Sequence, residues 1–93
     1  MLTVLQRSIS LHNMGLLEAS SDNPIDSMEY FTKAIDIRLK AGDAASNLLA
    51  NSYLCKSRVH FYRKEYEEAF SLLAKSEALY FRTAGDNAHF MAQ

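Results

Sequence analysis

Three histidines and one cysteine are the side chains of this chain best suited to acid–base, nucleophilic or metal chemistry. Metal-binding histidine pairs on a helix are normally spaced i, i+4, whereas His12, His60 and His89 lie far apart in the sequence. Cys55 and His60 are five residues apart, which separates them by about 140° around a helix axis, too far for a nucleophile–base pair. We therefore expect Cys55 to be a small hydrophobic residue and the histidines to be surface or partly buried side chains.

The remaining chemical motifs of enzymes do not occur in the sequence either. It contains no glycine-rich phosphate loop, no nucleophile elbow and no metal-ligand spacing, and these are the patterns that carry most recognisable reaction chemistry. We expect no catalytic residue, no metal and no cofactor, and hence a protein that is not an enzyme.

Charge and composition restrict the partners. Ten Lys and Arg residues balance 11 Asp and Glu residues, for a net charge of −1, so nothing favours nucleic acid or an anionic membrane as partner. Hydrophobic residues make up 48% of the chain, too many for a disordered polar tail. No apolar run approaches the roughly 20 residues that span a bilayer, and residues 1–7 do not resemble a signal peptide. With a single cysteine, the expected location is the reducing cytoplasm.

Helical spacing of apolar residues dominates the chain between its few helix breakers. Three glycines and one proline occur in 93 residues, which is too few for the frequent turns of a β-sandwich. Met28, Phe31, Ile35 and Leu39 recur at steps of three and four, as on one face of an α-helix. The sequence predicts four helices, over about 2–20, 24–41, 44–63 and 65–84, and the start of a fifth near residue 87.

The breakers also predict how these helices begin and end. Asn23 is expected to cap the second helix through its side chain, with Pro24 at the first helical position. Gly42, like Gly85 later, is expected to end a helix in the left-handed conformation, and the aspartate that follows it, Asp43, to cap the next helix. Gly15 lies inside a helical pattern at a cost of about 1 kcal/mol, so we expect a neighbouring helix to approach closely there.

An internal repeat organises the chain. A shift of 42 places Phe31 on Leu73 and Gly15 on Ser57, and a shift of 43 places Ala41-Gly42-Asp43 on Ala84-Gly85-Asp86. Each unit is two helices, A and B. We predict one domain, 1–93, with unit one over about 2–42, unit two over about 43–85, and a truncated third A helix over 86–93.

Small and large residues alternate in these units as helix packing requires. The small ones would let helices A and B approach closely, and the large ones would fill the space between them. The small residues are Gly15, Ser27, Ala34, Ser57, Ala69 and Ser76, and the large ones are Leu11, Phe31, Tyr53 and Leu73.

The same positions resemble the tetratricopeptide repeat, in which W-x2-L-G-x2-Y is followed by A-x3-F and A. Residues 30–38 are similar to a stretch of kinesin light chain-type repeats, whose repeat length is close to the shift found here. The matching motifs are Leu11-x2-Met14-Gly15 and Ser27-x3-Phe31-x2-Ala34 in the first unit, and Tyr53-x2-Lys56-Ser57 and Ala69-x3-Leu73-x2-Ser76 in the second. The resemblance implies an all-α, antiparallel helix-pair solenoid whose concave groove is lined by the A helices.

The resemblance also implies where a ligand would bind. Asn13 matches a groove asparagine that hydrogen-bonds an extended peptide backbone, and Arg58 and Lys56 would add positive charge that favours an acidic peptide. The predicted groove residues are His12, Asn13, Leu16, Asn51, Cys55, Arg58 and Tyr62, with Ile9 and Leu54 on the same face.

Two functions follow from this interpretation, and both are non-catalytic. In the first, the chain is an interaction module that binds an extended peptide or a partner helix in the groove. In the second, it is a structural or self-assembly segment of a larger regulatory or scaffold protein. Residues 88–93 resemble an apolar helix start, so we expect either a fragment of a longer array or a chain that self-associates through this end.

Overall fold

Residues 3–83, the part of the chain that the computed structural model describes, form α-helices joined by short turns. The helices are α1 (Val4–Ser20), α2 (Pro24–Ala41), α3 (Ser46–Tyr62) and α4 (Tyr66–Thr83), with a 3-10 turn at Gly42–Ala45. No strand occurs in residues 3–83, which confirms the predicted all-α class there. Each end of these four helices lies within two residues of its predicted position, and the expected fifth helix and the cap at Gly85 lie outside the described residues.

The four helices are two hairpins with the same register. α1 packs along α2 and α3 along α4, while α2 also packs against α3 and so joins the hairpins. Every helix end in the first hairpin recurs in the second at the same shift of 42. The pairs are Val4 and Ser46, Ser20 and Tyr62, Pro24 and Tyr66, and Ala41 and Thr83. None of these four helices is both long enough and apolar enough to cross a membrane.

The turns inside the two hairpins repeat down to their backbone hydrogen bonds. Asp22 and Lys64 adopt the left-handed conformation, with φ of 63° and 65°, at the position where many helices end. Three N–H groups in each turn close back onto the preceding helix with the same spacing. They are Ser21 to Leu17, Asp22 to Ala19 and Asn23 to Glu18 in the first turn, and Arg63 to Val59, Lys64 to Phe61 and Glu65 to His60 in the second.

Within each turn, a side-chain contact forms at the same pair of positions, but between different residue types. In the first, Asn23 Nδ2 donates to Glu18 Oε2 at 2.9 Å. In the second, His60 Nδ1 lies 3.0 Å from Glu65 Oε1, which also accepts from Arg63 Nε at 3.0 Å. Asn23 occupies the N-cap position of α2 but makes no side-chain capping bond, so the capping prediction is wrong. The side-chain amide of Asn23 instead donates to the carboxylate of Glu18.

The junction between the hairpins differs from its prediction at two residues. Gly42 ends α2 with a positive φ of 74°, which glycine adopts readily, but its ψ of −150° lies outside the left-handed helical region that we expected. Asp43 does not cap α3, because the 3-10 turn delays the start of that helix and makes Ala45 its N-cap. The carboxylate of Asp43 instead accepts from Arg82 Nη2 at 3.0 Å, between two exposed side chains.

Small residues hold the helices of each hairpin close together. All six that the sequence singled out are buried, and two of the serines donate across a hairpin. Ser27 Oγ donates to the carbonyl of Gly15 at 2.8 Å, and Ser76 Oγ to that of Ala50 at 2.9 Å. Their hydroxyls are therefore satisfied in positions that admit little more than a methyl group.

Large side chains fill the space beside these contacts. Phe31 is 1% exposed and forms one buried cluster with Cys55 and Val59. Ile35, Leu49 and Tyr53 form a second cluster, so both clusters join α2 to α3. Leu11 and Leu73, also predicted to fill the core, are only half-buried.

Gly15→Leu should strongly destabilise the protein. A Cβ atom at Gly15 would lie 2.7 Å from Cε1 of Phe31, and a buried ring that is itself tightly packed cannot move away cheaply. We expect a loss of about 1–3 kcal/mol in the free energy of unfolding, measured by urea denaturation.

The control for that change is the double variant Gly15→Ala/Phe31→Leu, in which the smaller side chain at position 31 makes room for the methyl group. The loss of unfolding free energy caused by Gly15→Ala should be smaller in the Phe31→Leu background than in the wild type. Equal stability of the wild type and Gly15→Leu would contradict the packing described here.

Candidate functional site

A cavity of about 400 Å³ lies between α1, the first turn and α3. Its wall is apolar except for a few groups, chiefly the side chains of Asp22 and Arg58 and the thiol of Cys55. Phe31, Cys55 and Val59 are the buried part of the wall. The lining residues are Leu16, Ala19, Ser20, Asp22, Pro24, Phe31, Cys55, Arg58, Val59 and Tyr62.

A second cavity of about 310 Å³ lies next to the first, on the α3–α4 side. Arg58 and Tyr62 line both cavities, so the two form one surface that continues across α3. Arg58 is exposed and has no carboxylate within ion-pair distance in residues 3–83. The second cavity is lined by Leu54, Ser57, Arg58, Phe61, Tyr62, Ala69, Phe70 and Leu73.

The structure brings together four of the seven predicted groove residues. Leu16, Cys55, Arg58 and Tyr62 all line the first cavity. Leu54, which was predicted on the same face, lines the second cavity.

The other three predicted groove residues lie elsewhere. Asn13 and Asn51 are exposed on α1 and α3 but line neither cavity. His12 is only 5% exposed, so its predicted position on the groove surface is wrong, because its ring is part of the core. Lys56 lines a different cavity with His60 and Glu68.

Beneath the first cavity lies a polar cluster built around Arg38, a guanidinium that is only 2% exposed. Arg38 Nε donates to Ser8 Oγ at 3.1 Å, and Nη1 donates to the Leu48 carbonyl at 2.9 Å and to Ser52 Oγ. All these acceptors are neutral. A buried cation without a carboxylate is expensive, and it is tolerated here because hydroxyls and a carbonyl replace water around it.

His12 completes this cluster on the α1 side. Its Nδ1 lies 3.0 Å from Ser52 Oγ and 3.4 Å from Arg38 Nη1. A guanidinium can only donate, so Nδ1 accepts and the ring proton belongs on Nε2. Burial, together with the positive charge of Arg38, lowers the pKa of His12, and burial is the main cause of the lowered pKa of Arg38. The imidazole is therefore held neutral beside a buried cation.

Cys55 meets a histidine, although not the one nearest to it in the sequence. Its Sγ lies 3.9 Å from Nε2 of His12. Burial raises the pKa of Cys55, and the charges of Arg58 and Arg38 only partly offset this. The thiol therefore remains protonated, which makes it a poor nucleophile.

Sequence reasoning missed both the buried arginine and this contact. A signal for the contact was present, because His12 and Cys55 are separated by 43 positions, about one repeat, which places them on successive A helices. Within residues 3–83, no group of three or more His, Cys, Asp and Glu side chains could hold a metal ion.

No protein-family model matches the chain, and no match is found among the curated proteins or the solved structures. The function is therefore argued from the geometry of the cavities and the charges around them.

The neutral state of His12 predicts how stability depends on pH. Its pKa in the folded chain is lowered from 6.5, so the unfolded chain binds the proton more readily. This contribution to stability is present above pH 6.5 and is lost as the pH falls toward the lower folded pKa. Urea denaturation at a series of pH values should show this decline in the wild type.

In His12→Gln the decline should be smaller, because glutamine does not titrate. His60→Gln, which removes a histidine outside the cluster, should keep it. A wild type and a His12→Gln variant with parallel pH profiles would rule out the buried neutral imidazole.

Proposed function

We propose that the chain is a non-catalytic protein-interaction module, and that it binds an extended peptide with apolar and acidic side chains across the two adjoining cavities. The observation that carries this proposal is the position of Arg58. Arg58 lines both apolar cavities, and its guanidinium has no carboxylate partner in residues 3–83. A carboxylate of the ligand would supply that partner through a charge-assisted hydrogen bond.

The apolar walls on either side give the peptide its second determinant. Leu16 and Tyr62 are exposed large side chains at the first cavity, and Phe70 is one at the second. Apolar surface rimmed by polar groups is characteristic of sites that bind another molecule. An apolar side chain in each cavity with an acidic residue between them would match this surface. Asp22 borders the first cavity, so the acidic residue is expected at Arg58 rather than near the first turn.

The resemblance to tetratricopeptide repeats supports the same proposal. The recurrence of helix ends and turn hydrogen bonds at one constant shift is what two tandem helix-pair repeats would produce. In that arrangement α1 and α3 are the A helices that line the groove, and both contribute to the first cavity. Asn13 and Asn51, exposed beside it, could hydrogen-bond the peptide backbone. We also propose a cytoplasmic location, because a chain with a single cysteine fits a reducing compartment.

The alternative function is a structural or self-assembly segment of a larger regulatory or scaffold protein. The observation that favours it is the exposure of large apolar side chains on α4, where Phe81 is 72% exposed. Such side chains are typical of surfaces that another molecule covers.

Arg58→Glu should invert the charge preference of the ligand. Peptides selected from a random library displayed on phage should be apolar and acidic for the wild type, and apolar and basic for the variant. A synthetic peptide selected on the wild type should bind the variant at least about tenfold more weakly by fluorescence anisotropy, because an attraction becomes a repulsion.

The matched control is Lys40→Glu, the same change of charge at an exposed α2 residue that lines none of the cavities described here. It should leave binding unchanged, and circular dichroism should show that both variants are folded. Equal affinity of the wild type and Arg58→Glu for the same peptide would refute the proposed site.

A further inference from the structure

Within residues 3–83, two faces lack the neighbouring helix that packs against the equivalent faces in the repeat. On α1, Leu17 is 63% exposed and Arg7 is exposed as well; we call the side of α1 that carries these two residues the α1 outer face. On the second hairpin, Phe61 and Phe70 are more than half exposed beside the half-buried Leu73; we call this side the hairpin-two open face. These two faces lie at opposite ends of the repeat.

The equivalent faces inside the molecule are packed against each other. α3 also packs on the first hairpin, where it contacts α2 much more than α1. The shift of 42 relates α3 to α1 and α2 to α4. The α1 outer face is therefore the counterpart of the α3 side that packs, and the hairpin-two open face is the counterpart of the α2 side that receives it.

The apolar contact of this internal seam has a counterpart at the two open faces. Phe31 of α2 and Val59 of α3 belong to one buried cluster. Their equivalents under the same shift are Leu73 on the hairpin-two open face and Leu17 on the α1 outer face. The apolar pair of the internal seam therefore corresponds to a second apolar pair, two leucines, at the open faces.

A second contact of the seam changes from apolar to charged in a complementary way. Ile35 of α2 and Leu49 of α3 share the other buried cluster. Their equivalents are Glu77 on α4 and Arg7 on α1. Both are exposed, and neither forms an ion pair within residues 3–83. An apolar pair in the internal seam therefore corresponds to a pair of opposite charges at the two open faces.

We propose that the chain associates head to tail with a second copy of itself, α1 of one copy seated on the hairpin-two open face of the next. Leu17 of one copy packs against Leu73 of the other, and Arg7 pairs with Glu77. The contact joins two different faces, so it is heterologous and leaves a free face at each end for further copies. The interface reproduces the seam between α2 and α3. Phe61, Phe70 and Leu73 also line the second cavity, so a second copy seated on this face and a peptide that spans both cavities would compete for it.

Charge reversal at the two residues tests this arrangement. Sedimentation velocity over a concentration series should show reversible self-association of the full chain. In Arg7→Glu two carboxylates would face each other across the contact, and in Glu77→Arg two guanidinium groups would. Each variant alone should therefore associate at least about tenfold more weakly than the wild type.

Mixing the two variants is the decisive step. In the mixture, α1 of the Glu77→Arg variant meets the unchanged open face of the Arg7→Glu variant, and the reversed pair of charges forms at the opposite contact. Association should therefore return, as it should in the double variant Arg7→Glu/Glu77→Arg. Glu29→Arg, a charge reversal on an exposed residue of α2 that pairs only with Lys33 within residues 3–83, should leave association unchanged.

Three results would overturn the proposal. One is a chain that stays monomeric at every concentration, as it would if residues 84–93 or another protein covered the open face. Another is association that neither charge reversal weakens. The third is weakening that the mixture does not reverse, which would indicate an interface built from the same face of both copies.

Discussion

The contact between Phe31 and Gly15 is the constraint on which the rest of the arrangement depends. The ring leaves no room for a Cβ at position 15, and at the same place Ser27 donates to the Gly15 carbonyl. Both interactions require the axes of α1 and α2 to be close. Because Phe31 also packs on Cys55 and Val59 of α3, the spacing within the first hairpin sets the position of the second, and with it the cavity that α1 and α3 enclose.

The buried guanidinium of Arg38 adds a polar constraint to this apolar one. From α2 it reaches Ser8 on α1 and Ser52 on α3, so three helices supply the groups that replace its hydration. A hydrogen-bonded buried cation fixes the relative position of its partners more narrowly than apolar contact does, since each bond has a preferred distance and direction. His12 belongs to the same cluster and has to remain neutral. The floor of the proposed peptide site is therefore tied to the polar core of the molecule.

Sequence reasoning located the four helices because their ends depend on local signals. The three- and four-residue spacing around Phe31, the proline at position 24 and the glycine at position 42 act over a few residues, and each helix end was found within two positions. The start of α1 carries a further local signal, the Thr3-x-x-Gln6 pair, which forms a capping box. Capping by Asn23 and Asp43 does not occur: Nδ2 of Asn23 donates to Glu18, and the 3-10 turn at Gly42–Ala45 makes Ala45 the N-cap of α3.

The site was harder to predict than the fold. The repeat alone was enough to place Arg58, Tyr62 and Leu16 on one surface. It was not enough to predict the burial of His12 and Arg38, because a polar side chain is buried only where other helices supply hydrogen-bond partners.

Phe31 brings α1, α2 and α3 into mutual contact. The most direct measurement is the nuclear Overhauser effect in solution between the ring protons of Phe31 and two groups, the Hα protons of Gly15 and the methyl groups of Val59. We expect both effects, together with a ring-current shift of the Gly15 Hα resonances. Absence of both effects in the folded chain would contradict this mutual contact.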